Sequence, residues 1–318
     1  MRSIKAAANA AARDSDRRRK IREKQITAES AAQDVEDWAD HLRDITSLHK
    51  TMVPRIDWQR RASAPRPAEP VPSTVETSKA EGALARYAPG LFARLLRTAE
   101  RTKHAMLAAV EAAKAKDLTT SERQKRDFER TLEHWQRDRL FAENVLGGDS
   151  PAMVRAIQEH QTLSRAGNIG KHIGFRVQDD KLICSVSLHG DEIVPNFRRK
   201  QVASGKLSET KMPKGDFNAL YQDHVASVAL RVAGEIFQIL PIETCFVDCS
   251  ARLLNTTTGH LEMAPILSVQ FVRRTFLGLR LESLDPSDAL TNFNHRMAFS
   301  RSHGFGRIVP LVAEKAPS

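Results

Sequence analysis

Glu235, Asp248 and Gln270 carry side-chain oxygens of the kind that a metal-dependent hydrolysis would need. Such groups, brought together, can hold Mg²⁺, because hard cations take oxygen ligands. A lysine two residues beyond the last ligand would orient the attacking water. Here Gln270 is followed by Phe271 and Val272, and Glu262 by Met263 and Ala264, so neither place has that lysine. The same residues also have a purely structural reading. Glu235 stands four residues after Arg231 and can pair with it along a helix, and Asp248 then lies on the exposed, polar side of a strand. The expectation is a non-catalytic chain with no cofactor and no metal, the alternative being a Mg²⁺-dependent nuclease built on Glu235, Asp248 and Gln270.

Other chemistry has less to stand on. The sequence has no G-x-x-x-x-G-K phosphate loop, no H-E-x-x-H, no paired C-x-x-C and no G-x-S-x-G elbow. Cys184, Cys245 and Cys249 are too few for a disulfide framework. Cys245 and Cys249 share one face of a strand and read as buried thiols in a reducing cytoplasm.

Charge is the remaining signal. The net charge of +10 attracts polyanions in general, and two segments concentrate it. The first holds Arg17, Arg18, Arg19, Lys20, Arg22 and Lys24; the second holds Arg198, Arg199 and Lys200 and runs on as a lysine-rich loop to Lys214. Both could touch phosphates. The alternative for the first is a solvated helix face whose arginines pair with Asp14, Asp16 and Glu23. No aromatic residue interleaves with these arginines, which disfavours single-stranded nucleic acid, where bases stack on rings.

The elements that position these residues follow from periodicity. Phe217, Tyr221, Val225, Val228, Val232, Ile236 and Ile239 recur at helical steps in a nearly all-apolar segment that must be buried. Pro241 ends it. The segments 243–254 and 265–274 alternate as strands around Asn255–His260, a turn rich in residues that tolerate positive φ, and predict a hairpin packed on that helix. Lys181–Leu188 is a further strand, with GFRVQ before it as a neighbour. Asp285 and Pro286 open a helix expected to run to Phe299 and bury Ala289, Phe293 and Met297, and 307–312 could add a last short strand.

The first half reads as helices. Residues 4–53 contain no Gly and no internal Pro before residue 54, which predicts one long helix. Its later part carries Val35, Trp38, Leu42, Ile45 and Leu48 as a stripe that requires a partner, either a second copy in a coiled coil or later helices of the same chain. Prolines across 62–78 make an extended spacer. Helices follow over 80–116 and 119–146, separated at Asp117–Thr120, and another over 150–164. The divisions are therefore 1–61 basic coiled-coil helix, 62–78 linker, 79–166 helical region and 167–318 C-terminal α/β domain, a mixed α+β chain. No stretch approaches the ~20 apolar residues of a membrane span, and the start has no signal-peptide core.

Several runs resemble known proteins. YQDHVASVALRVAGEIFQILPIE, LLNTTTGHLEMAPILSV and LDPSDALTNFNHRMAF, together with MRSIKAAANAAAR, SLHK and ASAPRPAEP, are similar to a group of uncharacterised bacterial proteins with a basic N-terminal coiled coil. That resemblance covers most of the chain and implies no activity. The helix–strand–turn–strand order also resembles the core of restriction-endonuclease-like folds, which is what implies the nuclease alternative. The reading taken is a cytoplasmic, bacterial-type interaction or scaffold protein. It would assemble with itself or a protein partner through its N-terminal helices, with nucleic acid as the alternative partner and no membrane.

Overall fold

The computed structural model describes residues 2–88, 98–179 and 181–312. The chain is mixed α+β and divides into two compact units, Asp57–Gly147 and a second that joins 1–56 to 148–318. The first 56 residues therefore belong with the C-terminal fold, whereas the sequence divisions set 1–61 apart. The apolar stripe of the N-terminal helix explains this pairing.

That second unit begins with α1 (Arg2–Thr46), a 3-10 turn (Leu48–Lys50) and an extended stretch to Ile56. The unit Asp57–Gly147 contains α2 (Trp58–Ala62), α3 (Val75–Ala85) and the 49-residue α4 (Thr98–Leu146). It is built along α4. Trp58 sets its ring edge-on to Phe141 at 5.4 Å, and Trp135 Nε1 donates to the Ala64 carbonyl at 2.9 Å. The proline-rich stretch reaches Ser73, whose N–H donates to Ser121 Oγ at 2.8 Å.

The break expected at Asp117–Thr120 is absent, and α4 runs straight through it. Thr119, Thr120 and Ser121 each donate their hydroxyl to the carbonyl four residues back, at 2.8–2.9 Å, so their side chains do not compete with the helix. The buried Asp117 carboxylate is used elsewhere. It accepts from Thr77 N at 2.7 Å, Glu76 N at 3.3 Å and Ser73 Oγ at 2.8 Å, capping the first turn of α3 from a different helix. Those donors, Thr77 N–H first, hold its pKa down at about 2.

The other unit continues with α5 (Ser150–His160), β1 (His172–Gln178), β2 (Lys181–Ser187), β3 (Phe197–Gln201), β4 (Leu207–Lys211), α6 (Lys214–Ile239), β5 (Thr244–Leu254) and β6 (Leu261–Val272). It ends with α7 (Arg273–Leu277), α8 (Pro286–Ala289), β7 (Asn294–Ser300) and β8 (Gly304–Gly306). Among the described residues the main sheet has the order β1-β2-β5-β6-β7-β8, antiparallel except for β2 with β5. The parallel pair requires a crossover, which α6 supplies. Asp149 caps α5 by accepting from Ala152 N at 2.9 Å. The helix ends at His160, and a 3-10 turn over Leu163–Arg165 takes the place of its expected extension to Ser164.

Two further expectations are corrected. The helix opened by Asp285 stops after one turn, and 294–300 forms β7, paired with β6. Ala289, Phe293 and Met297 are four apart, and a four-residue step is also two steps of a strand, so the apolar pattern fits either period. The last short strand falls at Gly304–Gly306 rather than 307–312. The lysine-rich stretch Phe197–Lys211 is a β-hairpin and not a loop, with Phe197 opposite Lys211 and Gln201 opposite Leu207.

That hairpin receives α1. Trp38 Nε1 donates to the Phe197 carbonyl at 3.1 Å, Gln201 Nε2 donates to the Ala28 carbonyl at 2.6 Å, and the half-buried Val35 and Leu42 lie between Ala31 and Ile45, both buried. The stripe is thus covered by a hairpin and by α6 of its own chain. Gly205, in the hairpin turn, has φ +79°, and a Cβ there would stand 3.0 Å from Ala28 Cβ. Gly259, in the β5–β6 turn, has φ +73° with open space around it. Gly259→Ala is expected to cost the left-handed strain alone, about 1–2 kcal/mol, and Gly205→Ala clearly more in urea unfolding. Equal losses would show that α1 does not press on the turn.

Candidate functional site

α6 is apolar on most sides, but His224, Ser227, Arg231 and Glu235 follow one another at three- and four-residue steps and make a buried polar stripe. Each of these side chains meets a segment outside the helix or a partner held there. His224 donates Nδ1–H to the Ile45 carbonyl at 2.9 Å, satisfying one of the last carbonyls of α1. Ser227 Oγ accepts the His49 N–H at 3.2 Å and bonds His49 Nδ1 at 2.9 Å. Arg231 and Glu235 pair at 2.5 Å. Glu235 also accepts from Thr162 N at 2.8 Å and Thr162 Oγ1 at 2.5 Å, while Arg231 donates to Thr162 Oγ1 at 2.9 Å. The stripe fixes where the end of α1 and the turn after α5 dock.

Asp248 and Gln270 lie on the other side of the sheet. Phe237 of α6 packs on Phe276, which packs on Phe271, so the face of β6 that carries Phe271 is the one that faces α6. Side chains alternate along a strand; hence Gln270, and Asp248 two positions away in the β5–β6 register, point to the opposite face. Glu235 is thus separated from both by the sheet, and the three are not gathered around one point. Asp248 is buried, not exposed as its strand pattern predicts. Ser268 Oγ donates to it at 2.6 Å, and the Leu311 N–H donates to Ser268 Oγ at 3.0 Å, so the segment after β8 covers it. Gln270 Oε1 accepts from Asn294 Nδ2 at 3.2 Å. Among the described residues no three His, Cys, Asp or Glu side chains stand close enough to hold a metal ion.

Cys184, Cys245 and Cys249 are free and fully buried, and burial raises all three thiol pKa values, which opposes thiolate chemistry.

The basic residues are outside. Arg17, Arg18, Arg19, Lys20, Arg22 and Lys24 are all exposed. Arg18 meets Asp14 at 2.8 Å, and Arg19 meets Asp16 at 3.6 Å and Glu23 at 3.7 Å, as the solvated-face alternative expects for those two. On the hairpin, Arg198 is tied to Asp216 at 2.5 Å, and Arg199 to Glu209 at 3.1 Å over the Phe197 ring, whereas Lys200 is exposed. The contact of Ala28 with Gly205 sets the first basic segment beyond the hairpin turn, near Lys206, whereas Arg198 and Arg199 lie toward the other end of the hairpin, where Trp38 meets Phe197.

The sequence shows the Arg231–Glu235 pair; the signal for the rest of the stripe, His224 and Ser227, is their helical spacing to that pair inside an otherwise apolar helix. Thr162 had no such signal, because it reaches Glu235 from a turn 73 residues earlier. The chain matches no family model, no curated protein and no solved structure.

Two predictions follow from the stripe. A buried ion pair is costly to break from one side only, so Glu235→Leu and Arg231→Met should each destabilise the fold by about 3 kcal/mol, and the double variant by less than the larger single loss. Additive losses in denaturant titrations would contradict a coupled pair.

The second concerns acid. Burial lowers the His224 pKa from 6.5 to about 4 and also lowers that of His49, so the unfolded chain binds more protons below pH 6.5, and stability is lost as pH falls toward 4. Burial raises the Asp223 pKa to about 6, helped by Asp285 and Asp288 and opposed by Ser287, so here the folded chain binds more protons between about 6 and 3.8, and stability is gained as pH falls. The two oppose each other. Asp223→Asn should therefore steepen the acid loss of unfolding free energy between pH 6.5 and 4; a profile parallel to the parent's would sink this account.

Proposed function

We propose that this chain is a non-catalytic interaction protein whose contact element is the outer half of α1. One contrast carries the reading. The groups in the C-terminal fold best suited to chemistry are held inside it, whereas residues 13–27 of α1 are exposed throughout. Glu235 is closed by Arg231 and Thr162, Asp248 by Ser268, and the thiols by burial. Ile21 and Ile26, 49% and 59% exposed on this otherwise charged segment, offer apolar contacts to a protein partner or a second copy. A bacterial-type cytoplasmic setting belongs to the same reading, supported by three cysteines kept as free thiols. No described helix is long and apolar enough to cross a membrane.

Nucleic acid is a second reading of the partner. It is favoured by the meeting of Ala28 with Gly205, which sets Lys206 of the hairpin turn beside the start of α1's exposed, cation-rich half.

Light scattering of the full chain tests assembly, with Ile21→Asp/Ile26→Asp expected to shift the parent toward monomer without changing its melting temperature. A parent that stays monomeric at high concentration would remove self-association. Melting in Mg²⁺ or Mn²⁺ tests the non-catalytic reading. A metal that binds only the folded state raises the melting temperature; no rise is expected, and one lost in Asp248→Ala would reinstate the nuclease.

A further inference from the structure

One face of α1 changes character along its length. Ala31, Val35, Trp38, Leu42 and Ile45 follow at i, i+4, i+7, i+11 and i+14, a single face at about 100° per residue, and it is this face that lies on the hairpin and α6. The same steps taken toward the N-terminus arrive at Lys24, Lys20, Arg17 and Arg13. All four are exposed, and among the described residues none forms an ion pair. Arg18 and Arg19 point elsewhere and are the ones paired with acids. The docked apolar stripe therefore continues without a change of direction into a row of free cations. Lys206, exposed and next to Gly205, stands beside the place where α1 leaves the hairpin.

We infer that Arg13, Arg17, Lys20 and Lys24, joined by Lys206, form a sequence-independent track for the phosphate backbone of double-stranded nucleic acid. This rests on the nucleic-acid reading above and narrows it to one face. The four α1 cations span eleven residue steps, about 17 Å at 1.5 Å per residue. One strand of a duplex presents roughly five phosphates over that length, at about 3.4 Å of axis each. The lack of aromatic side chains from 13 to 27 leaves single-stranded bases nothing to stack on. A lipid surface would require a broad apolar face opposite the cations, and that side of α1 holds Ser15, Arg22 and only one large apolar residue, Ile26.

Fluorescence anisotropy with the full chain and a labelled mixed-sequence DNA duplex, across a salt series, tests the inference. Two variants are compared, Arg13→Gln/Arg17→Gln/Lys20→Gln/Lys24→Gln on the track and Arg18→Gln/Arg19→Gln/Arg22→Gln off it. Glutamine keeps helix propensity, and circular dichroism checks that α1 persists. The track variant should flatten the log–log salt dependence by up to roughly 3.6, at about 0.9 per neutralised phosphate, with a large loss of affinity; the off-track variant should change the slope by less than about 1. Equal losses in both variants would overturn the track and leave the nucleic-acid reading standing. A parent that binds no duplex even at low salt would overturn that reading itself. Binding to single strands or anionic vesicles as tight as to the duplex would overturn the duplex assignment.

Discussion

The structure of the unit that joins the N-terminal segment to the C-terminal fold depends on burying α6 from every side. From His224 to Phe237 every residue of that helix is buried. A sheet covers only one flank of a helix, so the opposite flank must be supplied by other parts of the chain, and here it comes from the end of α1, the 3-10 turn at His49 and the stretch to Ile56. The backbone N–H of Ile56 donates to the Gln238 carbonyl at 2.9 Å, which carries this cover to the last turn of α6. The exit from the helix is clamped by Arg273, whose guanidinium donates to the Ile242 and Leu240 carbonyls beyond it and lies over the Phe237 ring.

An apolar helix alone would accept almost any apolar cover, in more than one register. The stripe His224, Ser227, Arg231 and Glu235 restricts the choice, because a buried polar group without a partner is costly. Sliding α1 by one residue would leave His224 without the Ile45 carbonyl and Ser227 without His49. Moving the turn after α5 would leave Glu235 without Thr162. Apolar area drives the docking, and these polar contacts set its register. The same contacts hold the Glu235 carboxylate inside the fold, between Arg231 and Thr162.

Much of this was legible because local periods and turn residues act over short range. The all-apolar run ending at Pro241, the alternation around Asn255–His260 and the i, i+4 pair of Arg231 with Glu235 are all written within a few residues of each other. What was illegible depends on distant partners. Asp248 alternates as an exposed residue would, and only Ser268 with Leu311 N–H above it shows why it is buried. Asp117 has the composition of a helix break, yet its oxygens serve α3. Phe293 and Met297 fit two periods, and the free edge of β6 decides for the strand. Residues 197–211 have the composition of a solvated loop and become ordered strands on which α1 rests.

The outer half of α1 follows from the same division of labour. Its composition favours a helix, but a short charged helix is marginal in water because the first turn is costly to nucleate. The docked half, from Ala28 to Ile45, supplies that first turn, and each further residue toward the N-terminus adds a hydrogen bond to a helix already begun. A row of cations on such an extension holds a fixed direction and spacing before any partner arrives. A disordered arm of the same composition would lose conformational entropy on binding; the helical extension starts from a half of α1 already anchored through Trp38, Gln201 and Gly205. The hairpin that supports α1 is thus what gives the exposed charges their geometry.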